Sequence, residues 1–324
     1  MPSPLSESRP PSVPASTRAA CPHRPPSAVI TQDAETLAPQ QMRAVLTSAS
    51  IDDTGRTTVL EPGCAVTLGR HPSCTLALRA PTVSAVHAEV QHVGGSYVLL
   101  DKGSTNGTFV NDQRLGSAHA LRNGDTIRLG PTVLLRFSLM SDDEHAAVTR
   151  LYEMAVHDRL TGLYNRNFAD ERLDSEIAYA SAHGTTLAVI LVDLDHFKSI
   201  NDRHGHLAGD NVLRAAAGAL GRSIRGEDLV ARYGGEEFLV MVRGMTGRDD
   251  AAITAERIRN TLSALRVPQP AARGTVVELG ATASLGVAAL HECAPASRVG
   301  LIEIADRRLY AAKLLGRNRV VSSG

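Results

Sequence analysis

The chain has 324 residues, and its 34 Lys and Arg balance 34 Asp and Glu to a formal net charge of zero. That balance argues against a general binder of nucleic acid or other polyanions. No apolar stretch is long enough to span a membrane, and the Pro/Ser-rich start lacks the apolar centre of a signal peptide, so the cytoplasm is the default expectation. The length allows two domains with separate cores. Cys21, Cys64, Cys74 and Cys293 form no C-x-x-C pair, so reduced thiols are expected rather than a disulfide framework or a zinc site.

Residues 1–40 are rich in Pro, Ser, Ala and Thr and poor in large apolar side chains. Such a segment buries too little to offset its ordering entropy and is expected to be disordered. It carries Thr17, Thr31 and Thr36.

From residue 42 to 140 the pattern changes to short β-type runs between turn residues. They are Arg56–Glu61, Ala65–Leu68, Thr75–Leu78, His87–His92, Ser96–Leu100, Thr108–Val110, Asp125–Leu129 and Thr132–Leu139. Regular short strands with such punctuation predict an antiparallel sandwich. If its polar loops meet at one end, Arg70, Ser84, Thr105 and Asn106 offer a guanidinium, two hydroxyls and an amide, equipment for a phosphate ester on a peptide. The spacing Gly69-Arg70, Ser84-x-x-His87 and Ser104-Thr105-Asn106-Gly107-Thr108-Phe109-Val110-Asn111 resembles the forkhead-associated (FHA) domain. The resemblance implies phosphothreonine binding, with Arg70 and Ser84 on the phosphate, Asn106 on the peptide backbone and His87 bracing the loop. Ala85 and Val86 depart from the polar residues common there, a change that weakens the expected grip on peptide.

Residues 141–157 carry acids at the start and Val148, Leu151 and Ala155 at helical spacing, which predicts a connecting helix with a short stripe suited to a second copy. From residue 158 to 324 helical and strand-like segments alternate. Helices are expected at 167–183, 207–223, 249–265 and 299–315, with strands at 187–192, 275–279 and 282–289 and extended chain at Val320. This order predicts an α/β fold with helices flanking an antiparallel-containing sheet.

Arg232-Tyr233-Gly234-Gly235-Glu236-Glu237-Phe238 lies between two β-type runs and reads as a hairpin whose glycines tolerate positive φ and let backbone approach a ligand. Its two carboxylates would repel nucleotide phosphates unless a divalent cation, most simply magnesium, lies between. Asp193 closes the apolar run 187–192 at the carboxyl end of a buried strand, where ligands of open α/β sheets bind. Three acids brought together there require cations. Lys198, and Lys313 with Arg317 four residues apart on one helical face, supply charge for triphosphate oxygens, while Asn201 and Asp210 have the donors and acceptors to read a guanine edge.

Asp158-Arg159-Leu160-Thr161-Gly162-Leu163-Tyr164-Asn165-Arg166, the run Asp193 to Asp210, the Gly-Gly-Glu-Glu-Phe hairpin and Ala311-Ala312-Lys313-x-x-Gly316-Arg317-Asn318 together resemble the GGDEF diguanylate cyclases. The resemblance implies a fold like that of nucleotidyl cyclases and palm-type polymerases, and condensation of two GTP molecules into cyclic di-GMP and two pyrophosphates. It implies two Mg²⁺ per site, held by Asp193, the Leu194 carbonyl, Glu236 and Glu237, with Glu236, Glu237 and Lys198 in catalysis. GTP would meet Phe197, Lys198, Asn201, Asp210, Lys313 and Arg317. Arg225-Gly226-Glu227-Asp228 matches the family's RxxD motif, which implies inhibition by the product at Arg225 and Asp228. Each domain holding one GTP implies a homodimer, and the sandwich implies control by a phosphothreonine of a partner protein or of the chain's own tail. The alternatives are a catalytically silent receptor for GTP or cyclic di-GMP, and an FHA scaffold.

Overall fold

The computed structural model describes residues 42–49, 55–78, 80–244, 249–270 and 276–323, so the tail threonines and Cys21 lie outside the described residues. Strand β1 (Arg43–Ser48) carries Ala44, Val45 and Leu46 in succession, all buried, because it is paired on both sides, with β2 (Thr57–Leu60) and β11 (Val133–Met140). This contiguous apolar run lacks the alternation of a half-buried strand, and the sequence reading passed over it. Between them lie β3 (Val66–Gly69), β4 (Leu76–Ala77), β5 (Ala88–Val93), β6 (Ser96–Asp101), β7 (Thr108–Val110), β8 (Gln113–Arg114), β9 (His119–Ala120) and β10 (Thr126–Leu129). Two sheets result, ordered β2-β1-β11-β10-β7-β8 and β4-β3-β5-β6-β9. Their inner faces enclose a core that includes Leu46, Leu68, Leu99, Ile127, Leu129 and Phe137.

Helix α1 (Asp142–Val156) starts at a Ser141/Glu144 capping box with three acids in its first turn. His145 and Thr149 meet Thr57 of the sandwich, and Tyr152 lies against Gly55. The expected apolar stripe is split: Val148 and Tyr152 are half-buried and Val156 is buried, while Leu151 and Ala155 are exposed. Packing against the sandwich claims one face and leaves the other to solvent.

The C-terminal part has α2 (Arg166–His183), β12 (Leu187–Leu194), α3 (Phe197–His204), α4 (His206–Arg222), β13 (Leu229–Arg232), β14 (Glu237–Arg243), α5 (Asp250–Ser263), β15 (Val267–Pro270), β16 (Val276–Leu279), β17 (Ala283–Ala289), α6 (Arg298–Leu314) and β18 (Val320–Val321). The sheet order is β13-β14-β12-β17-β18, antiparallel except for β17 with β18. Every residue of β12 is buried. Ala188, Ile190 and Val192 face a core with α4 and α5, and Val189 and Leu191 face one with α2 and α6. At Gly286 of β17 an added Cβ would collide with the Ala305 carbonyl and the Leu309 amide of α6. The hydrogen at that position is what lets helix and sheet approach so closely.

Candidate active site

Antiparallel register decides what meets at the end of β12. Asp193 stands opposite Glu237 of β14 and Ser284 of β17, and the Leu194 amide donates to the Glu236 carbonyl at 3.3 Å. The strand and the hairpin tip are thereby fastened together, and the acids expected to converge do so. Asp193 is buried, and its Oδ2 accepts from Lys313 Nζ at 2.8 Å. Burial pushes the Asp193 carboxyl up. The Lys313 ammonium offsets part of that, Asp195 adds to it and Arg317 opposes it. Glu236 is likewise pushed up, first by burial and then by the neighbouring Asp193 charge. Two acids that raise each other in a dehydrated corner have too little positive charge around them.

Among the described residues no group of three or more His, Cys, Asp or Glu side chains is gathered to hold a metal by themselves. Mg²⁺ is commonly held by one or two carboxylates with waters and substrate phosphates. Asp193, Glu236 and the Leu194 carbonyl are hard oxygen donors whose mutual repulsion a divalent cation would relieve, so the donor set fits magnesium.

The hairpin tip spans residues 233–236, with the Tyr233 and Gly234 amides both donating to the Glu237 carbonyl at 2.8 and 3.1 Å. Its glycines do not take the positive φ that their sequence suggested; neither is among the positive-φ residues. Gly234 is needed for close approach instead, because a Cβ there would collide with the Glu237 carboxylate. Arg232 braces the tip from outside: its Nη2 donates to the Gly235 carbonyl at 2.7 Å and its Nη1 to Asp158 at 3.2 Å.

Lys198 and Asn201 lie on α3 and Asp210 on α4. Phe197 is buried in the core with α4, Lys198 is exposed, and the Asn201 carbonyl oxygen lies across Gly209, next to Asp210 in the chain. The α3–α4 corner thus offers an amide and a carboxylate side by side. Arg317 is not on the α6 face with Lys313 as the spacing suggested. The helix ends at Leu314, and Gly316, Arg317 and Asn318 turn with φ of 111°, 63° and 44°. Arg317 is still near enough to lower the Asp193 carboxyl.

Asp195, which the sequence gave no role, holds this turn in place. Its carboxylate accepts from Thr282 Oγ1 at 2.7 Å, Ser284 Oγ at 2.7 Å and the Asn318 amide at 3.0 Å. Its position two residues after Asp193, on a strand otherwise apolar, was the available signal. At the RxxD segment, the buried Asp228 accepts from the Arg225 and Arg243 amides at 3.0 and 3.1 Å, whereas Arg225 is exposed.

In the sandwich, Arg70 Nε donates to the Val83 carbonyl at 3.3 Å, Ser84 Oγ accepts from the Thr105 amide at 3.1 Å, and Asn106 Nδ2 donates to the Thr82 carbonyl at 2.7 Å. The structure brings all four residues together. His87, fully buried, accepts from the Ser84 amide at Nδ1 and reaches the Gly107 carbonyl with Nε2 at 3.1 Å, which fixes the proton on Nε2.

Residues 155–319 match the family model described as diguanylate cyclase, GGDEF domain. The chain belongs to the GGDEF family. Residues 66–130 of this GGDEF protein match the FHA domain. It is 43% identical over 169 residues to the response regulator PleD of Caulobacter vibrioides, covering 52% of this chain and 36% of that protein. It is 36% identical over 233 residues to diguanylate cyclase DosC of Escherichia coli, covering 72% of this chain and 48% of DosC. The chain thus spans less than half the length of these two relatives. Similar solved structures include the GGDEF domain of DgcB from Caulobacter crescentus in complex with c-di-GMP, at 39% identity and a TM-score of 0.48, covering 52% of this chain and 93% of that one. Another is the active GGEEF domain of a diguanylate cyclase from Vibrio cholerae, at 29% identity and a TM-score of 0.44, covering 49% and 97%. No helix among the described residues is long and apolar enough to cross a membrane.

Proposed function

We propose that this GGDEF protein is a dimeric diguanylate cyclase that condenses two GTP molecules into cyclic di-GMP and two pyrophosphates. The observation that carries the reading is the pair Asp193 and Glu236, each pushed above its ordinary range beside Lys313 and Arg317. This is a corner built for a cation and a triphosphate, and DosC is a diguanylate cyclase by name. Bound Mg²⁺, held by Asp193, Glu236 and the Leu194 carbonyl, would supply neutralisation of the triphosphate charge. Asn201 and Asp210 receive the guanine edge, Phe197 floors that corner, and Lys198, Lys313 and Arg317 bind phosphate oxygens. In each half-reaction a ribose 3′-oxygen bonds to the α-phosphorus of the other GTP as the bond to pyrophosphate breaks, with Glu237 placed to take the hydroxyl proton. Two facing domains are required, since each brings one nucleotide. GTP as substrate fits a cytoplasmic placement.

Product binds at Arg225 and Asp228 and inhibits, and Arg70, Ser84, Thr105 and Asn106 hold a phosphothreonine that regulates the enzyme. The deciding experiment is turnover of GTP with Mg²⁺ across protein concentration, for the wild type and Asp193→Asn. The expected result is cyclic di-GMP formation whose rate per chain rises with concentration and falls at least 100-fold in the variant. Nucleotide binding without turnover would instead mark a silent receptor.

A further inference from the structure

A cleft of about 600 Å³ runs between the phosphate-loop end of the sandwich and α2, with Arg70 on one wall and Arg172, Glu176, Ala178, His183 and Arg243 on the other. Three guanidinium groups therefore face one carboxylate. Glu176 is already shared between Arg172 and Arg243. Arg70 meets no carboxylate among the described residues; its side chain bonds only the Val83 carbonyl. With His183 neutral, the walls keep an excess of about two positive charges, and a phosphothreonine brings about −1.5 to −2.

We propose that this cleft receives the chain's own N-terminal segment phosphorylated at Thr31, so that the phosphate on Arg70 and the residues after it on α2 join the sandwich to the cyclase domain. The inference rests on the phosphothreonine reading above and adds the second wall and the occupant. Reach selects the threonine. The tail joins β1 at Arg43, opposite Met140, whereas the cleft side is at the other end, where Ser48 stands opposite Leu135. The tail must therefore run back along β1, roughly 20 Å. Thr31 stands about twelve residues before Arg43, an extended reach of roughly 40 Å, whereas Thr36 has only about 24 Å and no slack. Charge selects it too, because Asp33 and Glu35 follow Thr31 closely and add carboxylates to an arginine-lined cleft.

The test uses the full chain and a fluorescent peptide of residues 26–40 carrying phosphothreonine at position 31, against three proteins: wild type, Arg70→Ala and Ala178→Glu. Ala178 is exposed on α2, and glutamate suits a helix, so this variant puts a charge in the far wall without disturbing the GTP site. The expected result is phosphorylation-dependent binding that weakens at least tenfold in Arg70→Ala and at least fivefold in Ala178→Glu, with circular dichroism and GTP turnover of the latter unchanged. A phosphothreonine peptide with Asp33 and Glu35 replaced by Ala should bind more weakly. If Ala178→Glu binds as wild type while Arg70→Ala does not, the sandwich holds the peptide alone and the shared cleft is wrong. Equal binding of the Ala-substituted peptide would make a partner protein the source and overturn the choice of occupant. Equal binding of phosphorylated and plain peptides would remove the phosphothreonine reading itself.

Discussion

Arg232 joins two segments that are remote in sequence, the Asp158 turn and the hairpin tip, through one guanidinium. Burial alone would raise Asp158, but hydrogen bonds from Thr161 and the Arg232 charge outweigh it and hold the carboxyl below its ordinary range. A carboxyl lowered by folding stabilises the protein above its unfolded pKa of about 3.9, and that stability is lost as pH falls through the lower folded value. Asp158→Asn should therefore cost about 1–3 kcal/mol near neutral pH, with the difference closing in acid. Urea titrations of both proteins at pH 7 and pH 3 check this. Asp195 acts on the opposite flank. In Asp195→Asn the Thr282 and Ser284 hydroxyls can rotate to accept, but the Asn318 amide cannot, so the turn carrying Arg317 loosens. The expected outcome is a KM for GTP raised roughly 5–10-fold with a smaller change in kcat, and little further loss when Arg317→Ala is added. Asp193, Glu236 and Lys313 were legible in the sequence because chemistry demands those residue types near phosphates. Asp195 and the Arg232–Asp158 pair were not, because their partners are backbone groups and side chains that only folding brings near.

At the scale of elements, the long apolar or amphipathic segments declared themselves: β12, α2, α4, α5 and α6 fall within a few residues of their expected spans. Two short ones did not. β15 contains Pro268 and Pro270 and forms only a two-stranded hairpin with β16, a place where proline is tolerated but argues against a strand on sequence grounds. α3 has eight residues and little apolar content beyond Phe197 and Ile200, so its periodicity is too weak to register. Helix α1 gives an expectation of its own. Its outward side shows Leu151 at 66% exposure and Met154 at 49%, with Val148 and Tyr152 turned toward the sandwich. The proposed reaction needs a second copy, and this is the side of α1 free to meet one. Leu151→Glu with Met154→Glu should leave helix content unchanged and lower turnover at least tenfold at dilute protein, with recovery at high concentration. Sedimentation velocity would show the matching shift toward monomer.

For the whole molecule, the RxxD segment is a neighbour of the sandwich. Gly226 and Asp228 line a cavity of about 300 Å³ together with Ser48, Leu78 and Val133, and its Arg172 and Arg243 also line the larger cleft. Asp228 is tied into the backbone there, so its replacement would disturb folding as well as binding. The exposed Arg225 separates the two effects. Arg225→Ala should keep the melting temperature and the initial rate while raising the cyclic di-GMP concentration for half-inhibition at least tenfold. Because both ligands press on the same arginines, saturating phosphopeptide should also shift that concentration several-fold, and by linkage the product should shift peptide affinity equally.

The hydrogen of Gly286 fixes how far α6 stands from the sheet, and α6 carries the lysine that partly offsets the buried acid of β12. Gly286→Ala would thus leave every ionisable group of the catalytic corner intact and still disarm it. With the helix pushed outward, the ammonium would stand too far off to temper Asp193, and triphosphate would lose a contact, though no side chain that touches nucleotide had been altered.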